Sequence, residues 1–284
     1  MSNVFEEQPE FLTEDPRSQR PEDSGVGYQV TPDFMLRRHA ILLPPQLLKG
    51  KRVLDLGSCL AASGAWCLSN GAAYYQGVEI HEEFVVKSRS CLAKYYDPAS
   101  WSVAQASIET FLEANSERFD VLLAFGVMYG TADAQKFLTL LSQTADLIVV
   151  ESMQSQTVFH SNLLSEETRT MLSQDPNIVE YLDNDAYIAI GRRGMLAPGG
   201  KTILFHGVNP SMGAIKHMME SLGFECDDRP NERLRNAIPK HYTPITRFGL
   251  RFKRNPSRGL RKLGLENALV DTSNVIDVIR WDEK

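Results

Sequence analysis

No run of about 18 apolar residues occurs anywhere in this 284-residue chain, so no stretch reads as a membrane span. The opening MSNVFEEQPEFLTEDPRSQRPEDSG is acidic and carries prolines. It lacks the basic start and apolar core of an export signal, so none is expected. Cysteine is scarce: Cys59, Cys67, Cys91 and Cys226 show no paired metal-ligand spacing, and three fall inside expected core elements, where a reduced thiol packs as a small hydrophobe. A cytoplasmic setting is therefore the expected one. There is also no nucleophile elbow, no phosphate loop and no metal-ligand pair; Glu151 with Asp183 or Asp185 is too loose a set for a metal. Positive charge is in deficit, with a net charge of −6, so the chain as a whole does not advertise itself to nucleic acid or to an anionic membrane. With 43% hydrophobic and 23% charged residues, what remains is ordinary globular composition, and the length suits one core with additions.

The informative stretch is KRVLDLGSCLAASGAWCLSNGAAYYQGVEIHEE, from Lys51 to Glu83. Val53, Leu54 and Leu56 form a short apolar run suited to a parallel strand buried on both faces, interrupted by Asp55 and ended by Gly57. Small residues then continue as a helix that ends at Asn70-Gly71, a left-handed cap. A second strand over 75–80 carries Glu79 near its end. The whole is a βαβ unit with one acid closing each strand. A dinucleotide fingerprint needs glycines where Cys59 and Ala62 stand, so a pyrophosphate cradle is not expected. S-Adenosylmethionine asks less of the loop because it carries no phosphate. Glu79, on the order of 20 residues beyond Gly57, stands where a carboxylate accepts bonds from both ribose hydroxyls.

VLDLGSCLAASGAWCLSNGA and QGVEIHEEFV resemble the glycine loop and second strand of the class I S-adenosylmethionine-dependent methyltransferases. FDVLLAFGVMYGTAD, and PSMGAIKHMMESLGFE followed by RFGLRFKR, resemble a subgroup containing tRNA wobble-uridine carboxymethyltransferases and natural-product methyltransferases. The likeness runs over about residues 50–254. It implies an α/β fold with a Rossmann-like, mostly parallel sheet, an antiparallel last strand, helices on both faces and an inserted cover. It also implies S-adenosyl-L-methionine as cofactor, with Asp55 below the ammonium, Gly57, Ser58 and Cys59 in the loop, and Glu79 and Ile80 at the ribose. Ser107 and Ile108 would lie at the adenine, and Phe125 and Gly126 beside the methyl group. Three departures stand out: the family usually has glycines at Cys59 and Ala61, an acid at Ser107, and, in the subgroup, a histidine at Gly130.

Along the rest of the chain, residues 1–30 read as a flexible arm, with Phe5, Phe11 and Tyr28 able to pin it to a surface or close it over a ligand. A methyltransferase domain follows over 31–254, and a basic tail over 255–284. Thr31-Pro32 starts a helix with Phe34, Met35, Arg38, Ile41 and Leu42 at helical spacing. Further strands are expected at 101–106, 119–125 and 146–151. An insert over about 152–208 contains two helices and two strand-like runs, 186–190 and 201–205, and is read as a cover over the substrate side. Because MLAPGGKTILFHG resembles the turn before the family's fifth strand, 201–205 competes with 147–150 for that place; 147–150 is favoured on connection length. Met212, Ile215, Met219 and Leu222 form a core stripe, and 246–253 an antiparallel strand at the sheet edge.

Methyl transfer is an in-line displacement, so holding the nucleophile on line supplies most of the rate, and a base helps only where a proton must leave. Tyr129 and His206 are the best-placed catalytic candidates, each more a pocket-lining group than a base. The first reading is a methyltransferase acting on a small-molecule acceptor at oxygen, nitrogen or carbon. The second is a tRNA- or RNA-modifying relative, suggested by the seven Lys and Arg and no acid over 247–262 and opposed by the chain's acidity. The third is a non-catalytic binding module, suggested by Cys59, Ala61 and Ser107.

Overall fold

The computed structural model describes residues 3–13, 15, 30–128, 131, 133–153, 188–196, 202–239, 242 and 247–255. The chain opens with two short helices, α1 (Val4–Glu7) and α2 (Glu10–Thr13), with Phe5 and Phe11 wholly buried. Over residues 3–13 the arm is therefore docked, not loose, because burying two aromatic rings outweighs the cost of ordering a short polar segment. Next, α3 (Pro32–Leu42) begins as expected: Thr31 Oγ1 accepts the Phe34 N–H and Pro32 fills the first turn.

The expected βαβ unit follows as β1 (Arg52–Leu56), α4 (Ala62–Ser69) and β2 (Tyr74–Glu79), with Gly71 in the left-handed region at φ 83°. After it come α5 (Glu82–Tyr95), β3 (Trp101–Gln105), α6 (Ile108–Ala114), β4 (Phe119–Phe125), α7 (Ala134–Thr144) and β5 (Ala145–Met153). Then β6 (Ile188–Leu196) and β7 (Thr202–Pro210) form an antiparallel hairpin, followed by α8 (Met212–Ser221), β8 (Phe224–Asp227), α9 (Arg229–Ala237) and β9 (Arg247–Arg254).

Among the described residues, one seven-stranded sheet has the order β3-β2-β1-β4-β5-β9-β8, with β9 antiparallel to both its neighbours. One expectation changes and one is met. The strand over 246–253 is antiparallel but does not lie at the edge: β9 sits between β5 and β8, so its apolar Phe248, Leu250 and Phe252 are all buried. The fifth place goes to β5, paired with β4, while 202–210 pairs with β6 in the separate hairpin. The two helices expected inside the insert lie outside the described residues.

Alternation along the strands divides the core in two. Val53, Tyr75, Val103, Val121, Leu123 and Val149 pack with α3, α4, α5 and the N-terminal helices. Leu54, Leu56, Val78, Leu122, Ala124, Ile148 and Val150 pack with α6, α7 and α8, whose Ile215 and Met219 confirm the methionine stripe as core. The register sets Asp55 beside Gly77, two residues before Glu79, so both acids project from the face covered by α3 to α5.

Candidate ligand site at the carboxyl ends of the strands

In an open α/β sheet, ligands bind beyond the carboxyl ends of the strands where the strand order reverses, here between β1 and β4. Asp55, 3% exposed, lies near the end of β1 and accepts a hydrogen bond from the Tyr75 hydroxyl at 2.8 Å. Burial and the Asp55 charge together push the Tyr75 phenol well above its ordinary range, so it stays a donor. Gly64 makes room for this pair: a Cβ there would stand 2.6 Å from the Tyr75 ring.

Beyond β1 the chain turns at Gly57 (φ 69°), where a Cβ would lie 2.7 Å from Val127 Cγ1. The Gly57 and Ser58 N–H groups both donate to Val78 O, at 2.9 and 3.0 Å. Cys59 and Ala61 then adopt φ 49° and 60°. Both carry a Cβ in a region that favours glycine, so the loop keeps a glycine-loop backbone without the glycines.

Glu79, 6% exposed, ends β2 and holds this loop in place. Its Oε2 accepts the Cys59 N–H at 3.0 Å, and its Oε1 accepts those of Ile80 at 2.8 Å and His81 at 2.9 Å. One carboxylate thus ties the end of β2 to the loop after β1. Beside it, Ile80 is 52% exposed, an unusual position for a large apolar side chain next to a buried acid. At the end of β3, Ser107 serves as the N-cap of α6, accepting the Thr110 N–H at 3.1 Å and donating to Thr110 Oγ1 at 2.8 Å, and Ile108 is half-buried.

After β4, Gly126 (φ 70°) donates its N–H to Glu151 O at 2.7 Å. The Glu151 carboxylate is fully buried and anchors a cluster not anticipated from sequence. It accepts from Arg38 at 2.5 Å, Arg247 at 2.5 Å and the Tyr242 hydroxyl at 3.1 Å. Burial alone would raise this carboxyl, but Arg247 and Arg38 outweigh it and hold it at about 2. The Arg38 guanidinium also lies 4.4 Å from the centre of the Phe125 ring. Its neighbour His39 is wholly buried: Nδ1 carries the proton to Met35 O at 2.7 Å and Nε2 accepts from Ser63 Oγ at 3.0 Å. Burial, then the Arg38 charge, lowers His39 to about 3, so it is neutral.

The fold therefore brings Asp55, Gly57, Ser58, Cys59, Glu79, Ile80, Ser107, Ile108, Phe125 and Gly126 to the carboxyl ends of four adjacent strands and the turns that follow them. Tyr129 lies outside the described residues. His206 stands within β7, in register with Arg192 of the hairpin, and not at a strand end, because β7 continues to Pro210. The missed residues had one visible signal: Arg38 falls among apolar positions on α3, and an inward-facing guanidinium requires a buried partner. Among the described residues no group of His, Cys, Asp and Glu is arranged to hold a metal ion, and no helix is long and apolar enough to cross a membrane.

No protein-family model and no curated protein matches the chain. Solved structures do. The N-terminal domain of EvdMO1, crystallised in the presence of SAH and D-fucose, superposes with a TM-score of 0.54 at 16% identity, over 90% of this chain and 98% of that one. A candidate S-adenosylmethionine-dependent methyltransferase from Listeria monocytogenes gives a TM-score of 0.52 at 13% identity, over 77% of this chain and 98% of that one. The chain thus shares the Rossmann-like fold of these two structures.

Proposed function

We propose that this chain is an S-adenosylmethionine-dependent methyltransferase for a small-molecule acceptor, with residues 31–254 as its catalytic domain. Glu79 is the observation that carries the reading. It is a nearly buried carboxylate at the end of β2, bonded to the loop after β1. Three N–H groups occupy it, and a carboxylate offers about four acceptor positions, so a charged acceptor remains for a ribose hydroxyl. The exposed Ile80 beside it suits the face of a base, and Asp55 supplies negative charge beneath the loop for an ammonium group. S-Adenosyl-L-methionine would supply an electrophilic methyl group on its sulfonium.

The chain's own contribution is placement. Glu79 fixes the loop and the ribose in one frame, while Phe125 and Gly126, locked by Arg38 and the Glu151 carbonyl, form the floor on the acceptor side. The insert over about 152–208 is the cover on the substrate side in this reading; His206 of β7 and Tyr129, which follows β4 in the sequence, are the pocket-lining candidates. The net charge of −6 supports a small acceptor over RNA. In the basic run, Arg247, Arg251 and Arg254 are engaged by Glu151, Asp227 and Asp146, each of which also takes a second arginine, Arg38, Arg229 and Arg118 in turn. Calorimetric titration with S-adenosylhomocysteine tests the reading: saturable one-to-one binding is expected, and no binding contradicts it. Retention of tRNA that falls steeply with salt would shift the acceptor class to RNA.

A further inference from the structure

If the ribose sits at Glu79 and the amino-acid end points to Asp55 on β1, the base must extend the other way, over β3. The backbone at that side is tied to Glu79 itself. Glu79 is in register with Gln105, and the Ala106 N–H donates to Glu79 O at 3.1 Å, which sets the entry to α6 beside the carboxylate. Ile80 after β2 and Ile108 at the start of α6 offer apolar surface there, and Ile108 Cδ1 reaches within 3.9 Å of a Cβ built on Gly57. Ser107, which precedes Ile108, is the polar residue that caps α6 at this entry.

Resting on the ligand reading above, we propose that this chain discriminates weakly between 6-amino and 6-oxopurine nucleosides, and that Ser107 sets this tolerance. The hydroxyl is neutral and already caps α6: it accepts the Thr110 N–H and donates its proton to Thr110 Oγ1. One acceptor position is left for an amino group. Facing an oxo group, the hydroxyl turns its proton from Thr110 Oγ1 to the base, exchanging one neutral hydrogen bond for another at small cost. A carboxylate has no proton to turn and would set its charge against the oxo oxygen.

The test is parallel calorimetry of S-adenosylhomocysteine and S-inosylhomocysteine with the full chain and with Ser107→Asp, which keeps a favourable helix cap. The expected result is a ratio of dissociation constants below about tenfold for the wild type, widened by more than about tenfold in Ser107→Asp. A wild-type ratio of tenfold or more overturns the proposal by itself, whatever the fate of the variant. An unchanged ratio in folded Ser107→Asp overturns the placement of the base. Should the wild type bind neither nucleoside, the ligand reading falls first and takes this one with it.

Discussion

Two residues in the loop after β1 show most directly what the chain keeps and what it gives up. Cys59 and Ala61 hold left-handed backbone angles where the resembled methyltransferases usually place glycine, at a cost of roughly 1 kcal/mol each. The position of the acids was legible in the sequence, because an apolar run that ends in a polar residue marks a strand terminus. The loop conformation was not, since neither residue advertises a positive φ. The strain gives a comparison within one neighbourhood. Ala61→Gly loses a buried methyl group but relieves the backbone, so it is expected to change stability by less than about 0.5 kcal/mol. Ala65→Gly, equally buried but within α4, is expected to cost about 1–2 kcal/mol. Urea denaturation of both variants measures the difference, and equal losses would remove the argument for strain. Glu151 illustrates the opposite limit of legibility: Arg38, its partner, lies 113 residues away along the chain, and only tertiary pairing reveals the cluster.

At the scale of elements, apolar runs and caps predicted the strands and most helices, and what they missed depends on pairing. That β9 lies between β5 and β8 is a fact of strand partners, invisible to periodicity. Helix α9 went unexpected because its sequence RPNERLRNA is mostly polar, with Pro230 and Leu234 turned inward. The N-terminal helices were masked by acidic, proline-bearing composition, yet Phe5 stacks on Trp66 with ring centres 6.3 Å apart and planes 11° from parallel. It also lies 5.3 Å from His39. Gln8 and Glu10 add contacts to Tyr96, Lys94 and Tyr95 of the α5 end. Truncation to Phe5→Ala is therefore expected to cost about 3–5 kcal/mol, seen as a lower midpoint in thermal or chemical unfolding. A loose arm would leave that midpoint where it is.

For the molecule as a whole, the buried titratable groups set the response to acid. His39 is held at about 3 in the fold against an unfolded value of 6.5. Between those values the unfolded chain binds a proton that the native state refuses, so stability falls as pH drops below 6.5, by about 1.4 kcal/mol per pH unit. Glu151, at about 2 against 4.5, contributes stability that is full above 4.5 and is lost as pH falls toward 2. The acid limb should thus begin near 6.5 and steepen below 4.5. In His39→Gln its slope between 4.5 and 6.5 should drop by about one proton's worth, as measured by denaturant unfolding across pH, and an unaltered slope would contradict a buried neutral imidazole. The charge balance also belongs to this scale: a basic run that suggested an RNA partner in the sequence is in part paired with Glu151, Asp227 and Asp146 of the folded sheet. All of the functional account converges on one carboxylate that serves loop and ligand together. The direct test is calorimetric titration of S-adenosylhomocysteine into the wild type and into folded Glu79→Ala, side by side. The account predicts a complex with the wild type, weakened in the variant by one to a few kcal/mol, about tenfold or more in dissociation constant. Equal affinity in the two proteins, or no binding to the wild type, would contradict it.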